Sequence, residues 1–181
     1  MTTPDLDAPL ETVWQGKWIT ARRQGRWEFV SRTRGIQAVV IVAIDDEGQV
    51  LLVEQYRVPL GRRCLELPAG LIGDDVEGEP VESAAARELE EETGYRAERI
   101  EPLGFFHSSP GMVSEGFTLV RAHGIAQVGE GGGTEHEDIV VHRVPLGALP
   151  DFVAAKRAEG MAVDVKLLLL LAGNLVPEVC R

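Results

Sequence analysis

Residues 80–95 read Pro80-Val81-Glu82-Ser83-Ala84-Ala85-Ala86-Arg87-Glu88-Leu89-Glu90-Glu91-Glu92-Thr93-Gly94-Tyr95. Proline is tolerated in the first turn of a helix, and glycine commonly ends one. Ala84, Ala85, Ala86 and Leu89 are good helix formers, so the stretch predicts a helix over Pro80–Thr93 stopped by Gly94. Val81, Ala85 and Leu89 recur every four residues and supply an apolar stripe for docking on a core. Glu88, Glu91 and Glu92 are related by three and four positions, which predicts that all three project from one face. Like charges so spaced repel and mildly destabilise a helix. A divalent cation changes that balance, because hard ions such as Mg²⁺ take carboxylate oxygens and leave room for substrate phosphates. A solvated acidic face is the plainer explanation of a charge run. Composition alone favours the solvated face.

Working outward, Gln37–Ile44 (QAVVIVAI) is nearly all apolar, as expected of a strand buried on both faces. Asp45-Asp46-Glu47-Gly48 is a turn, and Gln49–Gln55 (QVLLVEQ) returns as the second strand of a hairpin. Leu65–Gly70 (LELPAG) reads as one short strand ending in a turn. Upstream, Thr12–Val30 carries Trp14, Trp18 and Trp27 among polar residues, and Arg26–Val30 alternates like a strand. Downstream, strands are expected at Arg99–His107, Phe117–Ala122 and Ile139–Val144, and helices at Leu146–Glu159 and Asp164–Ala172. Strands around a few helices predict the α/β (α+β) class, a mixed sheet with helices packed on its faces.

The chain has 181 residues, 44% of them hydrophobic, which suits one folded domain with a short N-terminal appendage. Its net charge of −11 argues against a duplex nucleic-acid binder, which gains affinity by neutralising phosphates with Lys and Arg. Most of that charge is local: the segment from Asp74 to Glu92 holds nine acids and only Arg87 against them, a net −8. Cys64 and Cys180 show no metal-binding spacing, and two free thiols in a reducing cytosol are expected. Met1–Glu11 lacks the basic and apolar regions of a signal peptide. The apolar run at Leu167–Leu171 falls short of the ~20 residues that a spanning helix needs. A cytoplasmic protein with no membrane partner is expected.

Spacing adds a specific signal. Gly73, Glu79 and Arg87-Glu88-Leu89-Glu90-Glu91-Glu92-Thr93-Gly94-Tyr95 reproduce a pattern of Gly, then Glu six later, then R-E-apolar-x-E-E-x-G-apolar. This resembles the signature of the Nudix hydrolase family, with every fixed position filled. The resemblance implies an αβα sandwich over 34–181, with 1–33 as an N-terminal β segment exchanged between subunits of a homodimer. The box in close relatives usually opens at the glycine of a P-A-G turn, here Gly70, whereas the regular spacing counts from Gly73. The box turn therefore falls at one of these two glycines.

Residues outside the box resemble the ADP-ribose pyrophosphatase subfamily. Ser108-Ser109-Pro110-Gly111-Met112-Val113-Ser114-Glu115 is similar to its S-P-G-x-x-S-E segment, and Pro110 lies fifteen positions after Tyr95. Glu135-His136-Glu137-Asp138 is similar to its E-x-E-D/N loop, with Gly129–Gly133 giving the approach freedom to move. By that resemblance, Glu135 is the candidate general base. Ala69 (through its carbonyl), Glu88, Glu92 and Glu137 are candidate ligands for Mg²⁺ or Mn²⁺, and Glu91 a weaker one. Arg87 would orient one of the carboxylates. Arg57 and Glu115 are candidate substrate contacts, since the Arg fork suits phosphate; of Arg62 and Arg63, one could equally be a surface charge. Trp27 is a candidate for stacking on adenine, with core or dimer packing as the alternative for each Trp. The implied activity is hydrolysis of ADP-ribose or a similar nucleoside diphosphate sugar. GDP-mannose, a dinucleoside polyphosphate, a non-cleaving nucleotide sensor and an acidic interaction protein are the alternatives.

Overall fold

The apolar run at Gln37 becomes β4 (Gln37–Ala43), whose residues Val39 to Ala43 are all buried. Alternation sends its side chains into two separate clusters. Val39, Ile41 and Ala43 join one with Ala84, Ala85 and Leu89 of α1 (Val81–Thr93), while Val40 and Val42 join another with Leu149, Val153, Leu167 and Leu171. The strands thus lie between α1 on one side and α2 (Leu149–Ala158) with α3 (Leu168–Leu175) on the other, a mixed α+β sandwich. This is a computed structural model, and it describes residues 5–73, 78–134 and 137–175. Asp74, Asp75 and Glu77, the candidate base Glu135, its neighbour His136, and Cys180 lie outside the described residues.

The expected mixed sheet is divided in two. One sheet runs β7 (Ala69–Ile72), β4, β10 (Gly116–His123), β9 (Arg99–His107), with β4 and β10 parallel and the other neighbours antiparallel. The other runs β12 (Val140–Pro145), β5 (Gln49–Arg57), β6 (Arg62–Glu66), β13 (Ala162–Val163). The turn at Asp45–Gly48 links the sheets, but the expected hairpin does not form: β4 and β5 enter different sheets and meet only at an isolated bridge between Ile44 and Val50. The Asp45 carboxylate accepts the Glu47 and Gln49 N–H groups. A second link explains why Leu65–Gly70 is not one strand. Pro68 has no N–H to give a ladder, so the chain leaves β6 at Glu66 and starts β7 at Ala69, in the other sheet. The Pro68 carbonyl accepts from Ile41 N–H at 2.8 Å, which fastens the crossing.

The remaining differences are at element ends. Leu146–Ala148 and Val165–Leu167 are single 3₁₀ turns leading into α2 and α3, the second capped by the Asp164 carboxylate on Lys166 N–H. β8 (Tyr95–Arg96) and β11 (Ala126–Gln127) form a two-residue ribbon. The N-terminal residues form their own antiparallel sheet of β1 (Leu10–Gln15), β2 (Ile19–Gln24) and β3 (Trp27–Arg32), all of β1 being exposed. That sheet is joined to the turn before β10 by Val30 N–H on the Met112 carbonyl and Ser114 N–H on the Val30 carbonyl. Among the described residues no helix is long and apolar enough to cross a membrane.

Leu89 is fully buried where α1 meets β4. Leu89→Ala should therefore cost about 2–5 kcal/mol of stability, read as a lower urea midpoint at unchanged slope.

Candidate active site

Glu88, Glu91 and Glu92 share one arc of α1 but not one degree of burial. Glu92 follows Leu89 by three and Ala85 by seven, so it continues the apolar stripe and is only 4% exposed. Glu91, a further 100° round the helix, is exposed. Glu88 lies between them in burial. Along that arc, Glu88 and Glu92 lie toward β7 and Glu91 toward solvent.

Glu92 Oε2 accepts the Ala69 N–H of β7 at 3.0 Å. Burial still dominates and raises its carboxyl to about 8, helped by the nearby charges of Glu88 and Glu137 and opposed by the Ala69 N–H and Arg57. Glu88 lies over Gly70, where an added Cβ would sit 1.9 Å from its carboxylate carbon. The two glycines therefore divide the labour. Gly70 gives Glu88 room within β7, whereas Gly73, at φ 79°, adopts the left-handed turn. Arg87 gathers the outer acids, donating from Nη1 to Glu88 at 2.9 Å and Glu91 at 3.2 Å, and from Nε and Nη2 to Glu79 at 3.3 Å. Its Nη2 also meets the Leu71 carbonyl, so one guanidinium ties α1 to β7.

Of these groups, Ala69, Gly70, Leu71, Glu88 and Glu92 border a cavity of about 600 Å³, within the range of small-molecule sites. The structure brings Arg57, Ala69, Glu88, Glu92, Glu115 and Glu137 to it. Arg57 is forked onto buried Glu66, at 2.7 and 2.9 Å. Two more cations, which the sequence pattern did not single out, stand on the same wall: Arg32 paired with Glu115, and Lys166 paired with Asp164 at 2.6 Å. Nothing in a one-dimensional pattern marks Arg32 or Lys166, since each reaches the cavity from a distant element. Glu66, just before the L-P-A-G turn, was the one readable signal. Trp27 is elsewhere: it lines a second cavity of about 350 Å³ with Phe29, Pro110 and Val113. The Ser108–Glu115 segment separates the two, its ends facing the larger cavity and its middle the smaller.

The glycine run behaves differently from a loose tether. Val128 and Gly129 N–H bond the Gly94 carbonyl, Gly132 N–H the Glu92 carbonyl, and Gly133 N–H the Glu91 carbonyl. A Cβ on Gly131 would come within 2.4 Å of the Thr93 carbonyl carbon. The glycines thus let this strand of backbone press onto the C-terminal end of α1 and take up its unpaired carbonyls. Glu137 caps its own turn, accepting from Thr134 N–H at 2.8 Å and from Thr134 Oγ1 at 3.0 Å. Among the described residues no three His, Cys, Asp or Glu groups converge closely enough to hold a metal ion.

The profile of the NUDIX domain matches residues 35–162. The chain belongs to the Nudix family. Its relatives include an ADP-ribose pyrophosphatase of Mycobacterium tuberculosis, 47% identical over 92 residues, which are 51% of this chain and 44% of that protein. A GDP-mannose pyrophosphatase of Cronobacter sakazakii is 35% identical over 147 residues, covering 76% of this chain and 72% of the other. Against several curated relatives the chain spans only about half of the other protein's length. The crystal structure of an ADP compounds hydrolase superposes with a TM-score of 0.67 at 25% identity, over 96% of this chain and 94% of that one. The Nudix box, counted from Gly73, thus contains the helix carboxylates, and the strand against which they pack lies just before it.

Raising the Glu92 carboxyl from 4.5 to about 8 has a direction for stability. The folded state holds a proton that the unfolded state releases, so this contribution is full below pH 4.5 and is lost as pH rises toward 8. In EDTA, wild type should lose stability between pH 5 and pH 8 relative to Glu92→Gln, as measured by urea unfolding at each pH.

Proposed function

We propose that this Nudix chain hydrolyses the pyrophosphate bond of a nucleoside diphosphate sugar, ADP-ribose above all, to AMP and ribose 5-phosphate. The observation that carries the reading is the charge of the larger cavity. Six carboxylate residues and three cations line it, and each cation is paired with an acid. A pyrophosphate would be repelled by such a wall unless a divalent cation stood between them.

The donor set fits that cation. Carboxylate oxygens suit Mg²⁺ and also Mn²⁺, and Glu88 and Glu137 lie close enough to Glu92 to raise its carboxyl. Glu88, Glu92, Glu137 and the Ala69 carbonyl would hold the ion after drawing together around it, since the described carboxylates do not converge on one point without it. When bound, it supplies Lewis-acid polarisation and a more acidic water. Glu135 removes the proton of the attacking water as its oxygen bonds phosphorus and the bridging P–O bond breaks. Arg57, fixed in place by Glu66, meets the phosphate oxygens through hydrogen bonds rather than net charge. Glu115 holds Arg32 beside it, and Trp27, whose half-exposed ring lines the separate smaller cavity, would reach the base only across the homodimer proposed below.

A second reading, GDP-mannose hydrolysis, is favoured by the extent of the likeness to the Cronobacter enzyme. ADP-ribose, GDP-mannose, NADH, diadenosine polyphosphates and nucleoside triphosphates, each with Mg²⁺ or Mn²⁺ and products resolved by chromatography, separate the readings. ADP-ribose should be cleaved fastest, and Glu92→Gln should abolish turnover while keeping the fold. Hydrolysis of none of them would leave a nucleotide-sensing module as the reading.

The surface supports a homodimer. Trp14, Trp18, Trp27, Leu103, Phe105 and Phe106 are each more than 40% exposed, and apolar area of this kind is commonly covered by a partner. Light scattering should return twice the chain mass of 19.7 kDa; a monomeric mass would remove the exchange of residues 1–33 from the proposal.

A further inference from the structure

Arg63 does not line the cavity, yet its guanidinium bridges a buried acid and the segment that carries Glu137. From β6, Nε donates to the Glu54 carboxylate at 2.7 Å and Nη2 to the Glu54 carbonyl at 3.0 Å. Nη1 donates to the Asp138 carboxylate at 2.7 Å, and Nη2 also meets the Asp138 carbonyl at 3.0 Å. Glu54, 7% exposed in β5, accepts Lys156 Nζ at 3.1 Å as well and has His142 Nε2 at 2.9 Å. One buried carboxylate is thus surrounded by three nitrogen-bearing side chains, which leaves Arg63 charge to share with a second acid. An exposed ion pair on a flexible arginine contributes little. Here Glu54 has already ordered the long side chain, so little further entropy is lost when Asp138 binds its other edge.

Asp138 directly follows Glu137. On the upstream side, Gly132 and Gly133 N–H groups hang from the Glu92 and Glu91 carbonyls of α1. Glu137 therefore stands between an attachment to α1 and an attachment to β6, and it faces the cavity with Glu92. The geometry points to Arg63 as a positioning residue: through Asp138 it sets where the Glu137 carboxylate stands relative to Glu92. This rests on the proposal above that Glu137 serves hydrolysis.

Arg63→Met and Asp138→Ala, alone and combined, test it with the nucleoside diphosphate sugar that wild type hydrolyses under Mg²⁺. Misplacement of a carboxylate by about 1 Å affects turnover more than binding, so Arg63→Met should lower kcat about tenfold or more at nearly constant KM. Asp138→Ala keeps the carbonyl contact and should lose less. The double variant should be no worse than Arg63→Met, because both act through one contact. Additive losses, or full kcat in Asp138→Ala beside a merely less stable Arg63→Met, would assign Arg63 to the fold and overturn the inference. A readout independent of turnover is hydrogen exchange at the Glu137 and Ile139 amides, which bond the Thr134 and Gly132 carbonyls. Arg63→Met should speed exchange there and not in β4; unchanged exchange overturns the inference even if wild type hydrolyses nothing. Faster exchange without any wild-type turnover would instead place the failure in the proposed hydrolysis.

Discussion

The bond from Ala69 N–H to the Glu92 carboxylate joins the helix to the strand on which everything else in the site is arranged. It sits where an apolar stripe would otherwise continue, so a carboxylate is carried into the core at the cost of desolvation. One N–H does not offset that cost, and the group stays protonated well into neutral pH. The neighbouring features follow from accommodating it. Gly70 must lack a side chain because Glu88 occupies that space, and Arg87 must face outward because it balances the acids that remain in contact with water. Gly131 must lack one because the backbone closes over the end of the same helix.

Much of this was readable in the chain. The helix, its apolar stripe, the turn between β4 and β5 and the choice of box residues follow from period and spacing, which are local; that β4 and β5 part into two sheets instead of pairing as a hairpin is not local. The division of the acids was not readable from spacing alone, because three and four positions apart describes nearness on a helix and not which edge meets a strand. The glycine run carried a false hint of freedom: composition shows that side chains are missing, and only the packing shows that they are missing so that backbone can approach α1. The break at Pro68 falls inside Leu65–Gly70, which reads as one strand ending in a turn, although a proline in a strand is also where a chain can change sheets. Arg32 and Arg63 were out of reach because their partners are distant, the Arg32–Glu115 and Arg63–Asp138 contacts spanning 83 and 75 positions. Lys166 pairs with Asp164 two residues away, and what the sequence hides is that this pair reaches the cavity.

The acidic excess takes on a different meaning in this setting. A net charge of −11 suggested only what the protein would avoid. In the cavity, the cations are all present as members of ion pairs: Arg57 with Glu66, Arg32 with Glu115, Lys166 with Asp164. Such a pair contributes direction without contributing net attraction, since each guanidinium or ammonium is already neutralised by its acid. Attraction for an anionic ligand then has to come from an ion that the carboxylates themselves recruit. A carboxyl has to give up its proton to take such an ion, and Glu92 is the least solvated of those on α1. On the proposed reading, a cation would take the place of the proton that burial holds on Glu92, and Arg63, acting from outside the cavity, would keep the second carboxylate within reach of it.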